Sequence, residues 1–190
     1  MTASTQPIAS TSAAAPGEVV FSAPVIARAV ETIAARIRSD YRGEPLLMVG
    51  VLKGAALFTA DLMRALGDYP LTVDFMVVTS YGIGRDDDTT SDVRMLKDLD
   101  RNPAGQHVLL VEDIVDEGLT LEYLLHNLHS RAPKSLRACA LIDKPFHRKT
   151  KVVVDYVGLH GPDAFLVGYG LDHQERFRNL PHICKLQTPV

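Results

Sequence analysis

One stretch near the middle of the chain, VLLVEDIVDEGLTL at 108–121, limits the possible folds more than any other. The apolar run Val108–Val111 meets two acids, Glu112 and Asp113, and then Asp116, Gly118 and Thr120 lead into the leucine-rich pattern LTLEYLLHNLHSR at 119–131. A short Val/Leu run suits a buried strand, and the pattern after it is long enough for a crossover helix between parallel strands. A glycine turn at a helix start leaves backbone N–H groups unpaired at the positive end of the helix dipole, which favours a phosphate. Thr120 can add a hydroxyl donor. Two carboxylates beside such a cradle would repel a phosphate bound alone, but they fit if a sugar diol lies between. The same acids also suit a solvated turn and a helix cap.

The rest of the chain repeats the alternation. Apolar runs at 46–52, 71–79, 107–115, 136–142, 152–158 and 164–169 predict strands, and the patterns at 55–66 and 119–131 predict helices between them. Ser22 and Pro24 offer a cap and a first-turn proline, and Ile26, Val30, Ile33 and Ile37 follow at helical spacing, so a first helix should run to about Asp40. The class is α/β, in which ligands collect at the carboxyl ends of the strands. With 190 residues and 46% apolar content there is material for one core, expected as a single domain over 18–190. Residues 1–17 are small, uncharged and broken by Pro and Gly, and read as a disordered tail. The polar segment 83–96, IGRDDDTTSDVRML, reads as a mobile loop.

Several function classes drop out. A formal charge of −3 gives no basic field for nucleic acid. No apolar stretch approaches the roughly 20 residues of a membrane span, so no membrane partner is expected. Cys139 and Cys184 form neither a zinc pattern nor a secreted disulfide framework, which suits a reducing, cytoplasmic setting. Neither G-x-G-x-x-G nor G-x-x-x-x-G-K-[ST] occurs, against dinucleotide oxidoreductases and nucleoside triphosphatases.

Two further strand ends carry chemistry. In LLMVGVLKGAALF at 46–58, Gly54 lets backbone approach a ligand and Lys53 at the tip suggests an anion. In LIDKPFHRK at 141–149 the strand ends on Asp143 and Lys144.

The 108–121 stretch resembles the phosphoribosyl pyrophosphate motif of the type I phosphoribosyltransferases. DYVGLHGPDAFLVGYGLDHQERFRNLPHI at 155–183 resembles the C-terminal block of their hypoxanthine-guanine branch, and the likeness extends over about residues 20–185. It implies a central, mainly parallel twisted sheet flanked by helices, with a small hood segment and a flexible active-site loop. It implies a purine salvage transferase that joins hypoxanthine, or guanine, to phosphoribosyl pyrophosphate with Mg2+ as cofactor, giving IMP or GMP and pyrophosphate. A homodimer or homotetramer would be usual.

The resemblance also distributes roles. Glu112 and Asp113 would accept the ribose hydroxyls, and Asp116, Gly118, Leu119 and Thr120 would hold the 5-phosphate, with Asp116 as general base at purine N7. Lys53, Gly54 and Arg178 would meet pyrophosphate. Lys144 would donate to the 6-oxo group, Phe165 would stack on the base, Leu166 would offer backbone contacts, and Asp172 would bind metal beside the base, with Glu112 and Asp113 as further metal candidates. Ser80 and Tyr81 would open the closing loop, and the Leu52–Lys53 bond could be cis. Two departures stand out. Glu117 occupies a loop position where a small or hydroxylated residue is usual, and His160 and Gly161 replace an acidic and an apolar residue before Pro162. His147, His173 and His182 are read as structural. A non-catalytic relative that only senses phosphoribosyl pyrophosphate is the rival reading, but it would need a partner-binding region, and none is visible.

Overall fold

The computed structural model describes residues 14–81 and 92–187, with backbone alone at Ser80, Tyr81 and Asp92. The chain runs β1 (Ala15–Phe21), α1 (Ala23–Tyr41), β2 (Leu46–Leu52), α2 (Ala56–Leu66), β3 (Leu71–Tyr81), β4 (Asp92–Lys97), β5 (His107–Val115), α3 (Leu119–His129), β6 (Ser135–Asp143), β7 (Tyr156–His160), β8 (Leu166–Val167) and β9 (Ile183–Gln187). A six-stranded sheet has the order β4-β3-β2-β5-β6-β7. Its members from β3 to β7 are parallel, and β4 runs antiparallel on the edge. A small antiparallel sheet, β1-β9-β8, forms the hood.

The strands are apolar on both faces because both faces are covered. Along β2, Leu46 and Met48 join a core under α1 and α2 with Ile33, Ile37, Phe58 and Leu62. Leu47, Val49 and Val51 point the other way, into a second core with Leu121, Leu124 and Leu128 of α3. The helix after β2 and the helix after β5 thus cover opposite faces of neighbouring strands. Such a switch opens a crevice at the carboxyl ends, where ligands bind in open parallel sheets.

Some expectations need correction. β1 begins at Ala15, so Ala15, Pro16 and Gly17, assigned to the tail, belong to a strand paired with β9; residues 1–13 lie outside the described residues. Of the expected loop at 83–96, residues 92–96 belong to β4, while 83–91 lie outside the described residues. The strand expected at 152–158 forms later, at Tyr156–His160, and the one at 164–169 shrinks to Leu166–Val167. No helix among the described residues is long and apolar enough to cross a membrane.

Candidate active site

A cleft of about 550 Å³ opens at the ends of β2 and β5, lined by Gly54, Val78, Glu112, Asp113, residues 114–121, Asp172 and Arg178. β5 continues past its apolar run, so its two acids are carried along an interior strand of the sheet instead of out to solvent. Glu112 is 6% exposed, and its Oε1 has no partner among the described residues. Burial, with the charge of Asp113 beside it, pushes its pKa well above the carboxylate range. Burial also pushes Asp113 up to about 6, against backbone donors that include the Ile114 N–H at 2.9 Å.

Gly54 is required by this pair. A Cβ at position 54 would run into the Asp113 carboxylate, and a Cβ at Gly170 would run into the Gly54 carbonyl. The preceding Leu52–Lys53 peptide is cis. Lys53 stands at the rim, with its Nζ 3.0 Å from Glu175 Oε1.

The loop expected to cradle an anion follows. Gly118 caps α3 in the left-handed region at φ 87, where Gly is favoured, and Leu119, Thr120 and Leu121 of the first turn line the cleft. The loop is fastened from behind by the segment after β6. Arg148 donates from Nε to the Asp116 carbonyl at 2.8 Å and from Nη2 to the Val115 carbonyl at 3.3 Å, and it pairs with Asp143. The Lys149 N–H donates to the Glu117 carbonyl at 2.9 Å, and Lys149 Nζ lies 2.7 Å from Glu117 Oε1. The unusual carboxylate in the loop is therefore turned toward a cation.

Lys144 is buried, 6% exposed, with its Nζ 2.7 Å from Asp116 Oδ2. Asp116 Oδ1 is also buried and has no partner among the described residues. Opposite, Arg178 Nη2 lies 2.7 Å from Asp172 Oδ1, and its Nη1 donates to the Gly170 carbonyl at 2.7 Å. Asp172 Oδ2 accepts the Glu175 N–H at 2.8 Å.

The structure thus brings together Glu112, Asp113, Asp116, Gly118, Leu119, Thr120, Gly54, Asp172 and Arg178 around one cleft. Lys144 reaches it through Asp116. Phe165 and Leu166 stand outside its lining. Phe165 is 57% exposed and meets His173 edge to face at 5.7 Å, whereas the Leu166 side chain lies in the core, leaving its backbone as the part able to meet a ligand. Ser80 and Tyr81 end β3, and their side chains are outside the described residues.

Among the described residues, no three His, Cys, Asp or Glu side chains converge as a ready-made metal site, so Glu112, Asp113 and Asp172 do not make a closed ligand set. Asp172 is engaged by Arg178, and Glu112 is buried within the cleft lining. The donors are nonetheless all oxygen, and Glu112 Oε1 has no hydrogen bond among the described residues. That suits a hard cation such as magnesium, which keeps waters and phosphate oxygens in its shell.

Sequence reasoning missed Arg148, Lys149 and Glu175. The His147–Lys149 run reads as an ordinary solvated basic stretch, and no local pattern shows it turning back beneath the loop at 116–118.

The family model for the phosphoribosyl transferase domain matches residues 18–174. The chain is 43% identical over 173 residues to the hypoxanthine-guanine phosphoribosyltransferase of Bacillus subtilis, covering 91% of this chain and 94% of that protein. It is 46% identical over 178 residues to the enzyme of that name from Mycobacterium tuberculosis, covering 90% and 87%. Among solved structures it superposes on a Trypanosoma cruzi hypoxanthine phosphoribosyl transferase with a TM-score of 0.85 at 41% identity, covering 90% of this chain and 92% of that one. A Bacillus anthracis hypoxanthine-guanine phosphoribosyltransferase gives 0.85 at 39% identity, covering 93% and 100%.

Proposed function

The chain belongs to the phosphoribosyltransferase family, and from that premise we propose that it is the purine salvage enzyme converting hypoxanthine or guanine, with phosphoribosyl pyrophosphate, to IMP or GMP and pyrophosphate. The observation that carries this reading is the buried Lys144 ammonium held 2.7 Å from the Asp116 carboxylate at the mouth of the phosphate loop. In a 6-oxopurine, O6 and N7 are neighbours on one edge of the ring. A donor and a proton acceptor side by side serve both at once, Lys144 donating to O6 and Asp116 taking the proton from N7. Adenine would set an amino donor against an ammonium that has only donors.

The remaining roles follow from position. Glu112 and Asp113 bind the ribose hydroxyls, which supply the partner that Glu112 Oε1 lacks. The backbone of Gly118 and Leu119 and the Thr120 hydroxyl hold the 5-phosphate at the start of α3. Lys53 and Arg178 meet the departing pyrophosphate, whose developing charge they stabilise, and Gly54 lets it approach the backbone. Phe165 stacks on the base, Leu166 offers backbone groups to its edge, and Ser80 and Tyr81 begin the loop that excludes water. Magnesium, general to the family, would be held by Asp172, with Glu112 and Asp113 nearby, and would supply charge neutralisation at the pyrophosphate.

A cytoplasmic homodimer or homotetramer is part of the same reading. Two free, buried cysteines and the usual closed symmetry of enzymes support it, and sedimentation tests it. The activity itself is tested by pyrophosphate release from phosphoribosyl pyrophosphate, with and without magnesium, offering hypoxanthine, guanine, xanthine and adenine separately. Magnesium-dependent turnover with a 6-oxopurine and little with adenine is expected. Binding without turnover for every base would instead favour the sensor.

A further inference from the structure

Glu117 is the member of the phosphate loop least suited to an anion. It stands between Asp116 and the cap residue Gly118, within the cleft lining, where the resemblance calls for a small or hydroxylated residue. In a water-like medium, one uncompensated charge about 6 Å from a dianion weakens binding about tenfold. The chain places a cation against it. Lys149, from the connection between β6 and β7, meets Glu117 twice, through its N–H to the Glu117 carbonyl at 2.9 Å and through Nζ to Oε1 at 2.7 Å.

We propose that Lys149 is a positioning residue for the 5-phosphate, cancelling and turning aside the Glu117 carboxylate so that a loop containing an acid still accepts an anion. This rests on the reading of 116–120 as the phosphate loop. The two contacts are separable. The N–H belongs to the backbone and survives substitution of the side chain, and Arg148 independently holds the Asp116 and Val115 carbonyls. Replacing Lys149 by alanine therefore removes the charge and leaves the loop fastened. The side chains are 58% and 44% exposed, so the pair adds little to stability. Its effect lies in where it puts the charge, and it should weaken as salt rises.

A double-mutant cycle tests this. KM for phosphoribosyl pyrophosphate, and the affinity for ribose 5-phosphate by calorimetry, are measured for the parent, Lys149→Ala, Glu117→Ser and the double variant at low and moderate salt. Lys149→Ala should raise both constants about five- to tenfold at low salt, with a smaller change in kcat and an unchanged Tm, and the double variant should return both to within about twofold of the parent. Unchanged constants in Lys149→Ala would overturn the proposal. So would a double variant as weak as Lys149→Ala, because Lys149 would then be touching the phosphate itself. If the parent releases no pyrophosphate with any base, the proposed activity fails, while the ribose 5-phosphate cycle still decides the role of Lys149.

Discussion

Replacing Asp113 with asparagine should stabilise the unliganded protein while disabling it. Burial holds the Asp113 carboxyl at a pKa of about 6, against 3.8 for the free group. Between those values the folded chain keeps a proton that the unfolded chain has released. Folding stability therefore falls as pH rises from about 4 to about 6 and stays lower above that. The interval corresponds to about 3 kcal/mol. An amide carries no such ionisation, and its oxygen can still accept the Ile114 N–H that Asp113 Oδ1 accepts now. The variant does lose the attraction between Asp113 and Arg178. A net gain of about 1–3 kcal/mol near neutral pH should remain, or roughly 2–10 °C in Tm for a domain of this size. The assay is calorimetric unfolding of parent and variant, without substrate or magnesium, from acid to mildly alkaline pH. The difference should be small near the low end, open as pH passes the Asp113 pKa, and then level off. KM for phosphoribosyl pyrophosphate should rise at least about tenfold, because a ribose hydroxyl would meet a weaker, uncharged acceptor. A variant less stable than the parent at neutral pH, or a difference that ignores pH, would refute the reasoning.

Three other substitutions probe separate parts of the site. Asp116→Asn should lower kcat about a hundredfold or more, the usual size of a lost general base, far more than it lowers nucleotide affinity; normal turnover would remove Asp116 from that role. Gly54→Ala drives a Cβ into the Asp113 carboxylate and should raise KM for phosphoribosyl pyrophosphate about tenfold or more; steady-state kinetics with unchanged KM would show that Asp113 moves aside freely. Arg148→Ala strips the donor from two loop carbonyls and the cation from Asp143 and should cost about 2–4 kcal/mol in urea unfolding. A loss below about 0.5 kcal/mol would mean that water replaces the guanidinium without penalty.

What the sequence made legible follows from burial. β2, β5 and β6 are covered on both faces and carry long apolar runs, broken only by Glu112 and Asp113 in β5 and by Arg137 in β6, so their positions were plain. The edge strands were not. β4 alternates half-buried Val93, Met95 and Lys97 with exposed Arg94 and Leu96, a real period of two hidden inside a charged stretch. β1 starts with Ala15, Pro16 and Gly17, which elsewhere break strands but are tolerated on an edge. The site divides in the same way. Glu112, Asp113 and Asp116 stand next to one another at a strand end, so proximity in sequence already implied proximity in space. Arg148 and Lys149 act on that loop from about thirty residues away, and only the parallel pairing of β5 with β6 brings them beneath it.

The charges of the unliganded site fall into two groups with different consequences. Lys53, Lys144, Lys149 and Arg178 each lie within 3.0 Å of an acid, namely Glu175, Asp116, Glu117 and Asp172 respectively. Anionic substrate groups that reach Lys53 or Arg178 exchange one anionic partner for another. Little net attraction is gained in that exchange, but the cations are already positioned, which is what stabilising a leaving group requires. Glu112 and Asp113 are the opposite case. They are buried without a cation at contact distance among the described residues, and both are held above the carboxylate range as a result. Folding alone leaves that burial uncompensated, and on the proposed reading hydroxyl donors or positive charge arriving with the ligand would relieve it. Stability withheld at this pair on folding would then be returned on binding. That is why the substitution expected to strengthen the empty fold is the one expected to weaken its hold on the substrate.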